Sequence, residues 1–272
     1  MHFIRNEKLA TVGGLIVLAF VVLAIFAPWI APMEPCKASP TDALMAPGGK
    51  YLLGTDILGR DLLSRLIYGA RISLSVAFAA VGVGAVIGVL LGLVAGWYMG
   101  LEMLVMRFVD VLLCFPAIIV ALTIISVLGV GIQNIIFAIA ISRTPEFARL
   151  TYSLAISVRH NTYVEAAIAV GASSKRIMFC HILPNIIPPI IVQVSLMIPG
   201  AIMIVAGLSF LGLGVAPPTP EWGAMLQDSR VWARMAPHLM VFPGLTIMMV
   251  VFGFNTLGDG LRDALDPRLA RL

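Results

Sequence analysis

Charged residues and groups suited to metal or redox chemistry are scarce in this chain. Asp, Glu, Lys and Arg make up 12% of the 272 residues, and there are only three cysteines and four histidines. Cys36, Cys114 and Cys180 lie far apart in the sequence, and neither they nor the histidines show the spacing of a zinc site or a redox-active pair. We therefore expect no metal site and no thiol chemistry in this protein.

A GxxxxGK[ST] phosphate-binding loop is also absent, and none of the lysines follows a glycine-rich loop. The net charge of +4 is not gathered into a basic stripe with interleaved aromatic residues, which is the pattern typical of nucleic-acid binding. The sequence therefore predicts neither a nucleotide site in this chain nor a nucleic-acid partner.

Long hydrophobic runs dominate the chain instead. Hydrophobic residues make up 60% of the sequence, and the mean hydropathy is +1.01. A helix needs about 20 apolar residues to cross the hydrocarbon core of a membrane. Six runs meet this need and predict an all-α, polytopic membrane protein with six transmembrane helices. These runs are residues 9–30, 72–99, 108–130, 132–154, 186–207 and 239–257.

The first run follows Arg5 and Lys8, as the hydrophobic region of a signal peptide would. It is too long for that region, however, and no small-residue cleavage site closes it. We expect it to be retained as a transmembrane helix.

Six spans place both termini on one side of the membrane. With cytoplasmic termini, 11 of the 18 Lys and Arg residues lie in inner segments, which is a weak positive-inside bias. Charge returns near Arg143, where we expect the loop after the fourth span to begin, so no charged residue is expected deep in a span. An ion-coupled carrier, in contrast, usually has charges near the midplane. An intramembrane hydrolase would need paired Asp, Ser-His or HExxH groups within its spans, and none occurs. Both classes are therefore disfavoured.

The outer segment 54–71 has more internal order than a linker. Leu58, Leu62 and Leu66 recur every fourth residue, and Asp61 precedes Arg65 by four, as in a helical ion pair. This pattern predicts an amphipathic helix on the outer surface, with Thr55 or Asp56 capping its start. Such a helix serves either as a surface anchor or as a gating or substrate-facing element.

Two further patterns concern the spans themselves. Gly84, Gly88, Gly92 and Gly96 leave one face of the second span without side chains, so a neighbouring helix can approach closely or, alternatively, slide. At the start of the third span, residues 107 and 110 have the spacing of an interfacial Arg–Asp pair, and the proline at 116 predicts a kink.

The polar insert 163–184 is the most informative part of the sequence. Tyr163, Ala166, Ala167 and Val170 recur at three- and four-residue intervals and form a small apolar face suited to a groove on another protein. Glu165 is adjacent to this face. Gly171 is suited to end the helix, Ser173 or Ser174 to cap a second one, and Pro184 to allow a sharp turn into the fifth span.

This insert resembles the EAA coupling loop of ABC importer permeases. Glu165, Ala166, Ala167 and Gly171 match the family motif at its own spacing, and Leu183-Pro184 matches its end. The motif's usual isoleucine two residues before the leucine is replaced by histidine, and the resulting His-Ile-Leu-Pro ending resembles the dipeptide, oligopeptide and nickel branch. The alternative is an ordinary cytoplasmic helical hairpin in a membrane protein of another class.

Other segments carry the same resemblance. The GTD, GRD and SR elements of residues 54–65, the SFLGLG and EWGAML elements of residues 209–226, and the tail 258–268 are similar to this branch. Trp222 and Trp232 of this outer loop suit an aromatic belt at the membrane interface. Alternatively, the loop lies against a binding protein or forms an outer lid. The resemblance extends from about Gly54 to Arg268.

The resemblance implies a six-helix permease subunit of the type I ABC importer kind, in the inner membrane with both termini cytoplasmic. It implies that the chain is not an enzyme and that ATP and Mg are bound by two separate ATP-binding subunits. A second homologous permease, an extracytoplasmic substrate-binding protein and membrane lipid complete the implied partners. The implied cargo is di- or oligopeptides, with nickel or another small solute as the alternative.

We divide the chain on this basis at residue 71. Residues 1–71 would form the first helix with the outer loop and surface helix, and residues 72–272 the permease core with a coupling loop at 157–185. Gln193 and Ser195, polar residues in the fifth span, are the candidates for the translocation path.

Overall fold

The computed structural model describes residues 2–265, with side chains from Lys8 onward, and this part of the chain is helical with no β-strand beyond isolated bridges. The all-α prediction is confirmed. The helices are α1 (His2–Ile25), α2 (Ala27–Ile30), α3 (Leu62–Trp97), α4 (Met99–Leu113), α5 (Ala117–Leu128), α6 (Ile132–Arg159), α7 (Thr162–Ala169), α8 (Ser174–Arg176), α9 (Leu183–Phe210), α10 (Trp222–Ser229) and α11 (His238–Leu265). A π-helical turn, Ile177–Ile182, joins α8 to α9. The part of the predicted tail that follows Leu265, including Arg268, lies outside the described residues.

Several helices are long and apolar enough to cross a membrane. Among residues 2–265 there are four such helices, or five if α4 and α5, which meet at a bend of 94°, count as one broken span. The remaining predicted span corresponds to α6, a helix of 28 residues. It is less apolar because Arg143, Glu146 and Arg149 lie within it rather than in a loop after it. The expectation that a loop begins near Arg143 is therefore wrong.

The predicted surface helix at 54–71 is also wrong. Helix α3 begins at Leu62, not at residue 72 as the hydrophobic pattern suggested, and runs without a break for 36 residues. Its cap is Asp61, whose carboxylate accepts hydrogen bonds from the Ser64 backbone N–H at 2.8 Å and the Ser64 hydroxyl at 2.6 Å. Neither Thr55 nor Asp56 caps a helix here.

The charged residues of this segment pair differently from the helical pattern. Asp56 accepts from Arg60 Nε at 2.6 Å and lies 3.4 Å from Arg65 Nε, whereas the predicted Asp61–Arg65 pair does not form because Asp61 is occupied as a cap. Asp56, Arg60 and Arg65 are all buried. A folded loop, rather than a helix, gathers these charges against the N-terminal end of α3.

The glycine ladder of α3 is confirmed as a packing face. A Cβ atom at Gly88 would lie 2.5 Å from Phe147 Cβ, and one at Gly92 would lie 2.5 Å from the Ala148 carbonyl oxygen. Such distances are shorter than van der Waals contact allows. The missing side chains let α3 and α6 approach closely along their length, and this pair forms the centre of the bundle.

Pro116 does not merely kink the third span; the span is broken into two helices there. Helix α4 ends at Leu113 and α5 begins at Ala117, with the 94° bend between them. The predicted pair of residues 107 and 110 is not formed, because Asp110 pairs with Arg149 of α6 instead. That contact ties α4 to the inner half of α6.

The remaining helices complete the bundle around α3 and α6. Helix α9 contacts α3, α6 and α11, and α1 lies against α11 where Gly13 faces the backbone of Gly253. Ile135, Phe147, Ile202 and Leu208 are fully buried between these helices. The hydrophobic core thus lies among α3, α6, α9 and α11.

Candidate functional site

One side chain above all holds helix α7 against the end of the bundle where α3 and α6 end and α9 begins, which we call the inner end. Val164 is fully buried and belongs to a cluster at the inner ends of α3, α6 and α9. We call this group the inner cluster; it consists of Leu93, Ala155, Val164, Ile177, Ile182 and Ile186. Ala167 and Leu183 pack against it from the side. The hairpin that carries α7 is therefore fixed to the bundle.

Most other side chains of α7 point away from the chain. Tyr163 is 43% exposed and Val170 83% exposed, and Glu165 and Ala166 are also exposed. Of the predicted docking face, only Ala167 turns partly inward, because it follows Val164 by three residues on the same side of the helix. The other members remain available to a partner.

Gly171 ends α7 as its sequence position predicted. Its φ of +81° lies in the left-handed region, which suits a residue without a Cβ atom. The Gly171 N–H donates to the Ile168 carbonyl at 2.9 Å and the Ala172 N–H to the Ala167 carbonyl at 3.0 Å, which is the bonding pattern of a Schellman motif. This motif sets the direction in which the chain leaves α7.

The segment after Gly171 leads into the fifth span without a turn. Ser173 caps α8 by accepting from the Arg176 N–H at 3.4 Å. From Ser174 to Phe210 the chain is one continuous helical span of 37 residues. The sharp change of direction predicted at Pro184 is wrong, because the π-helical turn accommodates this exposed proline and Asn185 Nδ2 donates to the His181 carbonyl at 2.7 Å.

The inner ends of α3 and α6 are joined beside this hairpin. The guanidinium of Arg159 lies 5.2 Å from the centre of the Trp97 ring, and its Nη1 donates to the Trp97 carbonyl oxygen at 3.4 Å. The contact combines a cation–π interaction with a hydrogen bond. It fixes the point from which the chain leaves α6 for α7.

The two residues predicted for the translocation path lie in different places. Gln193 lines a groove of about 720 Å³ between α6, α9 and α11, together with Leu150, Asn185, Pro188, Pro189, Val192, Leu196, Arg262 and Leu265. Ser195 is buried instead; its hydroxyl donates to the Val192 carbonyl at 2.7 Å and faces Gly258 of α11. The structure thus places Gln193 at a groove and Ser195 in helix packing.

Sequence reasoning missed the pair formed by Arg143 and Glu146. Arg143 Nη1 donates to Glu146 Oε1 at 3.0 Å, and the side chains are 14% and 31% exposed. Their spacing of three residues predicts such a pair on a helix. The sequence pattern does not indicate this pair, because charge at this position predicts the end of a span.

We call the segment between α9 and α11, residues 211–237, the outer hairpin. It is fixed to the bundle by Glu221 and Trp222, which are both fully buried. The Trp222 Nε1 donates to the Leu66 carbonyl at 3.1 Å, and its ring meets Phe20 edge-on at 6.1 Å. The aromatic-belt interpretation of Trp222 is therefore wrong. Trp232 is partly buried against the same core.

Within residues 2–265, no group of three or more His, Cys, Asp or Glu side chains is placed to hold a metal ion. The described side chains form three features: a fixed helix α7 with an exposed side, a groove beside α9, and the Arg143–Glu146 pair in the middle of α6.

A solved structure shares this fold. A chain from an inward-facing structure of the MetNI methionine ABC transporter superposes with a TM-score of 0.61, covering 74% of this chain and 96% of that one. The two sequences are 19% identical, so the likeness concerns the fold.

Sequence families then give the assignment. A family model described as "Binding-protein-dependent transport system inner membrane component" matches residues 84–271, and one described as "N-terminal TM domain of oligopeptide transport permease C" matches residues 2–47. The chain belongs to this family of ABC importer permeases, in its dipeptide branch, and is a multi-pass inner-membrane protein. The resemblance drawn from residues 163–184 is confirmed.

Curated relatives extend over nearly the whole chain. It is 46% identical to the dipeptide transport system permease protein DppC of Alkalihalophilus pseudofirmus over 267 residues, which is 98% of this chain and 88% of that protein. It is 45% identical to the di/tripeptide permease DppC of Pseudomonas aeruginosa, covering 97% and 89%. It is 46% identical to the glutathione permease GsiD of Escherichia coli O6:K15:H31, covering 97% and 88%.

Proposed function

We propose that this chain forms half of the translocation path of an ATP-driven importer for small peptides and that α7 is its contact with an ATP-hydrolysing subunit. The observation that carries the proposal is the division of α7 into a buried and an exposed side. Val164 fixes the helix to the bundle, while Tyr163, Glu165 and Val170 remain exposed. An exposed apolar face on a short, fixed helix is suited to a groove on a partner.

The inner cluster provides the mechanical link. It joins Val164 of α7 to Ile177 and Ile182 of the π-helical turn, and that turn continues into α9. A displacement of α7 would therefore move α9, which carries Gln193 at the groove. Two alternative packings of α9 would open the path to one side of the membrane at a time, and ATP binding and release would select between them.

The partners follow from this mechanism. Two ATPase subunits bind ATP and Mg, a second homologous permease forms the other half of the path, and an extracytoplasmic binding protein delivers the solute. The chain itself performs no hydrolysis. Small peptides are the favoured cargo, rather than a nickel chelate, because the named relatives are dipeptide, di/tripeptide and glutathione permeases.

The orientation places α7 and both termini in the cytoplasm. Reporter fusions at Lys50 and Lys175 test it, since Lys50 belongs to the outer loop and Lys175 to α8. We expect a cytoplasmic signal at Lys175 and an outer signal at Lys50. Equal signals from the two positions would refute the topology.

Co-purification tests the contact itself. Val170→Asp and Glu165→Arg should each lower the recovery of the ATPase subunit with a tagged permease pair by about tenfold, the effect of losing roughly 1.4 kcal/mol of binding free energy. The matched control is Val231→Asp, since Val231 is 79% exposed but follows α10 at the opposite end of the protein. Equal recovery of the ATPase with Val170→Asp and Val231→Asp would contradict the proposal.

A further inference from the structure

Arg143 lies near the middle of α6, a helix of 28 residues that belongs to the transmembrane bundle. A charged side chain within a membrane span is costly, and such residues usually face a cavity or mark a path for a polar solute. Arg143 therefore requires an explanation beyond anchoring at the membrane surface.

Two glycines make room for this side chain. A Cβ atom at Gly200 of α9 would lie 2.3 Å from Arg143 Nη2 and 3.3 Å from its Cζ, and one at Gly84 of α3 would lie 3.4 Å from Arg143 Cβ. The guanidinium thus occupies a slot between α6 and α9 that any residue with a side chain at position 200 would close.

The donors of Arg143 are only partly used. Nη1 donates to Glu146 at 3.0 Å, while Nε is buried and has no hydrogen-bond partner among the described residues. A guanidinium has five N–H donors arranged to bind carboxylates, and a buried donor without a partner costs free energy. An additional acceptor at this position would remove that cost.

The pair lies next to the groove that contains Gln193. Glu146 is one helical turn from Leu150 on α6, and Gly200 is one turn from Leu196 on α9, and both of these leucines line the groove. The volume of about 720 Å³ is within the range of roughly 300–1,000 Å³ typical of small-ligand sites. The pair thus lies one helical turn beyond the residues that line the groove, where a solute that leaves the groove past Leu150 and Leu196 would meet the guanidinium.

We propose that Arg143 binds the carboxylate of the solute during its passage, with Glu146 as the counter-ion of Arg143 when the path is empty. The inference rests on the proposed function and identifies the chemical class of cargo as one with a free carboxylate. Glu146 is a positioning residue, because it orients the guanidinium and does not itself receive the anion.

Transport by the full complex in proteoliposomes tests the assignment, with Ala-Ala dipeptide and the loaded binding protein. Arg143→Gln should lower the maximal rate of ATP-driven uptake by about tenfold or more, because it removes a charge-assisted hydrogen bond. Arg143→Lys should recover part of the rate. Arg71→Gln, which removes an exposed arginine of α3, is the control and should leave uptake unchanged.

Exchanging the charges of Arg143 and Glu146 distinguishes solute binding by Arg143 from an ion pair that only stabilises the helix. The double variant Arg143→Glu with Glu146→Arg keeps a pair on α6 but displaces the cation from the slot at Gly200. We expect it to assemble and to show binding-protein-stimulated ATPase activity while uptake stays low. Uptake at the wild-type rate in this variant, or in Arg143→Gln, would overturn the assignment.

A measurement on the wild-type protein tests the assignment even if the variants fail to assemble. Phenylglyoxal modification of Arg143, followed by mass spectrometry, should slow during turnover with Ala-Ala relative to turnover with binding protein and ATP alone, while modification of Arg71 stays constant. An unchanged rate at Arg143 would overturn the assignment. Loss of stimulated ATPase activity in the wild-type complex, or failure to import Ala-Ala, would instead contradict the proposed function.

Discussion

The hydroxyl of Ser73 donates a hydrogen bond to the buried carboxylate of Glu221 at 3.1 Å and thereby joins the outer hairpin to α3. The same carboxylate caps α10 by accepting from the backbone N–H groups of Gly223 at 3.0 Å and Ala224 at 2.9 Å. Three donors therefore depend on one side chain. This side chain and Trp222 therefore fix the outer hairpin to the bundle.

Replacing Glu221 should weaken this attachment. Glu221→Ala removes a helix cap and leaves buried donors unpaired, which should cost about 2–4 kcal/mol of stability. Glu221→Gln keeps one acceptor oxygen and should cost less. Thermal unfolding of the detergent-purified protein measures the difference, with Gln227→Ala on the exposed side of α10 as control. A Glu221→Ala protein as stable as this control would contradict the capping role.

The glycine face of α3 gives a prediction with a matched control on the same helix. Gly88→Ala would place a Cβ atom 2.5 Å from Phe147 Cβ, whereas a Cβ atom at Gly82 meets nothing within 4 Å. Gly88→Ala should destabilise the protein by about 1–3 kcal/mol through overpacking. Gly82→Ala should be neutral or stabilising by up to about 1 kcal/mol.

Thermal unfolding of both alanine variants measures this contrast. If α3 and α6 separated or slid during transport, the close contact at Gly88 would be dispensable. Equal unfolding temperatures for the two variants would then be observed, contrary to the static packing described above.

Val164 and Val170 should respond oppositely in two assays. Val164 is fully buried and Val170 is 83% exposed. Val164→Ala removes buried methyl groups and leaves a cavity, which should lower stability by about 2 kcal/mol. Val170→Ala should leave stability unchanged and weaken ATPase binding alone. Unfolding temperature and ATPase recovery, measured side by side, check this. A stability loss in Val170→Ala equal to that in Val164→Ala would count against the division of α7 into two sides.

Asp42 in the outer loop predicts a pH dependence. The Tyr51 hydroxyl donates to its carboxylate at 2.7 Å and Lys50 Nζ at 3.0 Å, and these contacts hold the pKa of Asp42 below its ordinary value of 3.8. Because the folded-state pKa is depressed, the carboxylate stabilises the fold above the ordinary pKa, and this contribution is lost as the pH falls through the lowered value.

The corresponding experiment compares the unmodified protein with Asp42→Asn. At neutral pH the unmodified protein should unfold at the higher temperature, and the difference should disappear as the pH is lowered below 3.8. A difference that grows on acidification would have the wrong sign for this account.

Much of the inner half of the protein was predictable because its signals are local. A helix ended by Gly171, a second one capped by Ser173 and a glycine face on α3 each depend on residues within a few positions of one another. Backbone conformation and helical periodicity act at that range. The spacing of the residues in the EAA motif indicated the protein family.

The outer half was predicted less well because distant contacts decide it. Asp61, Arg65 and Leu66 fit a helical ion pair and an apolar stripe, but Asp61 serves as a cap and Arg65 lies within hydrogen-bond reach of the Pro35 carbonyl at 3.2 Å. The sequence position of Trp222 suits a membrane interface, but its indole N–H donates a hydrogen bond to the Leu66 carbonyl, 156 positions away. No local pattern encodes such pairings.

The candidate translocation path was also hard to predict from local sequence patterns. Gln193 and Ser195 are two residues apart on one helix and so face different directions, and the sequence did not show which one faces the groove. Arg143 was assigned to a loop because charge usually marks the end of a span. The continuous helix from Ile132 to Arg159 shows instead that it lies in mid-helix.

The central claim is that motion of α7, driven by ATP in a partner, moves a small peptide past α9. ATP-dependent accumulation of labelled dipeptide in proteoliposomes containing the whole importer tests it most directly, with the double variant Glu165→Arg and Gly171→Pro set against the unmodified chain. We predict accumulation with the unmodified chain and its loss, together with that of binding-protein-stimulated ATP hydrolysis, in the variant. Accumulation at an equal rate in both would contradict the account.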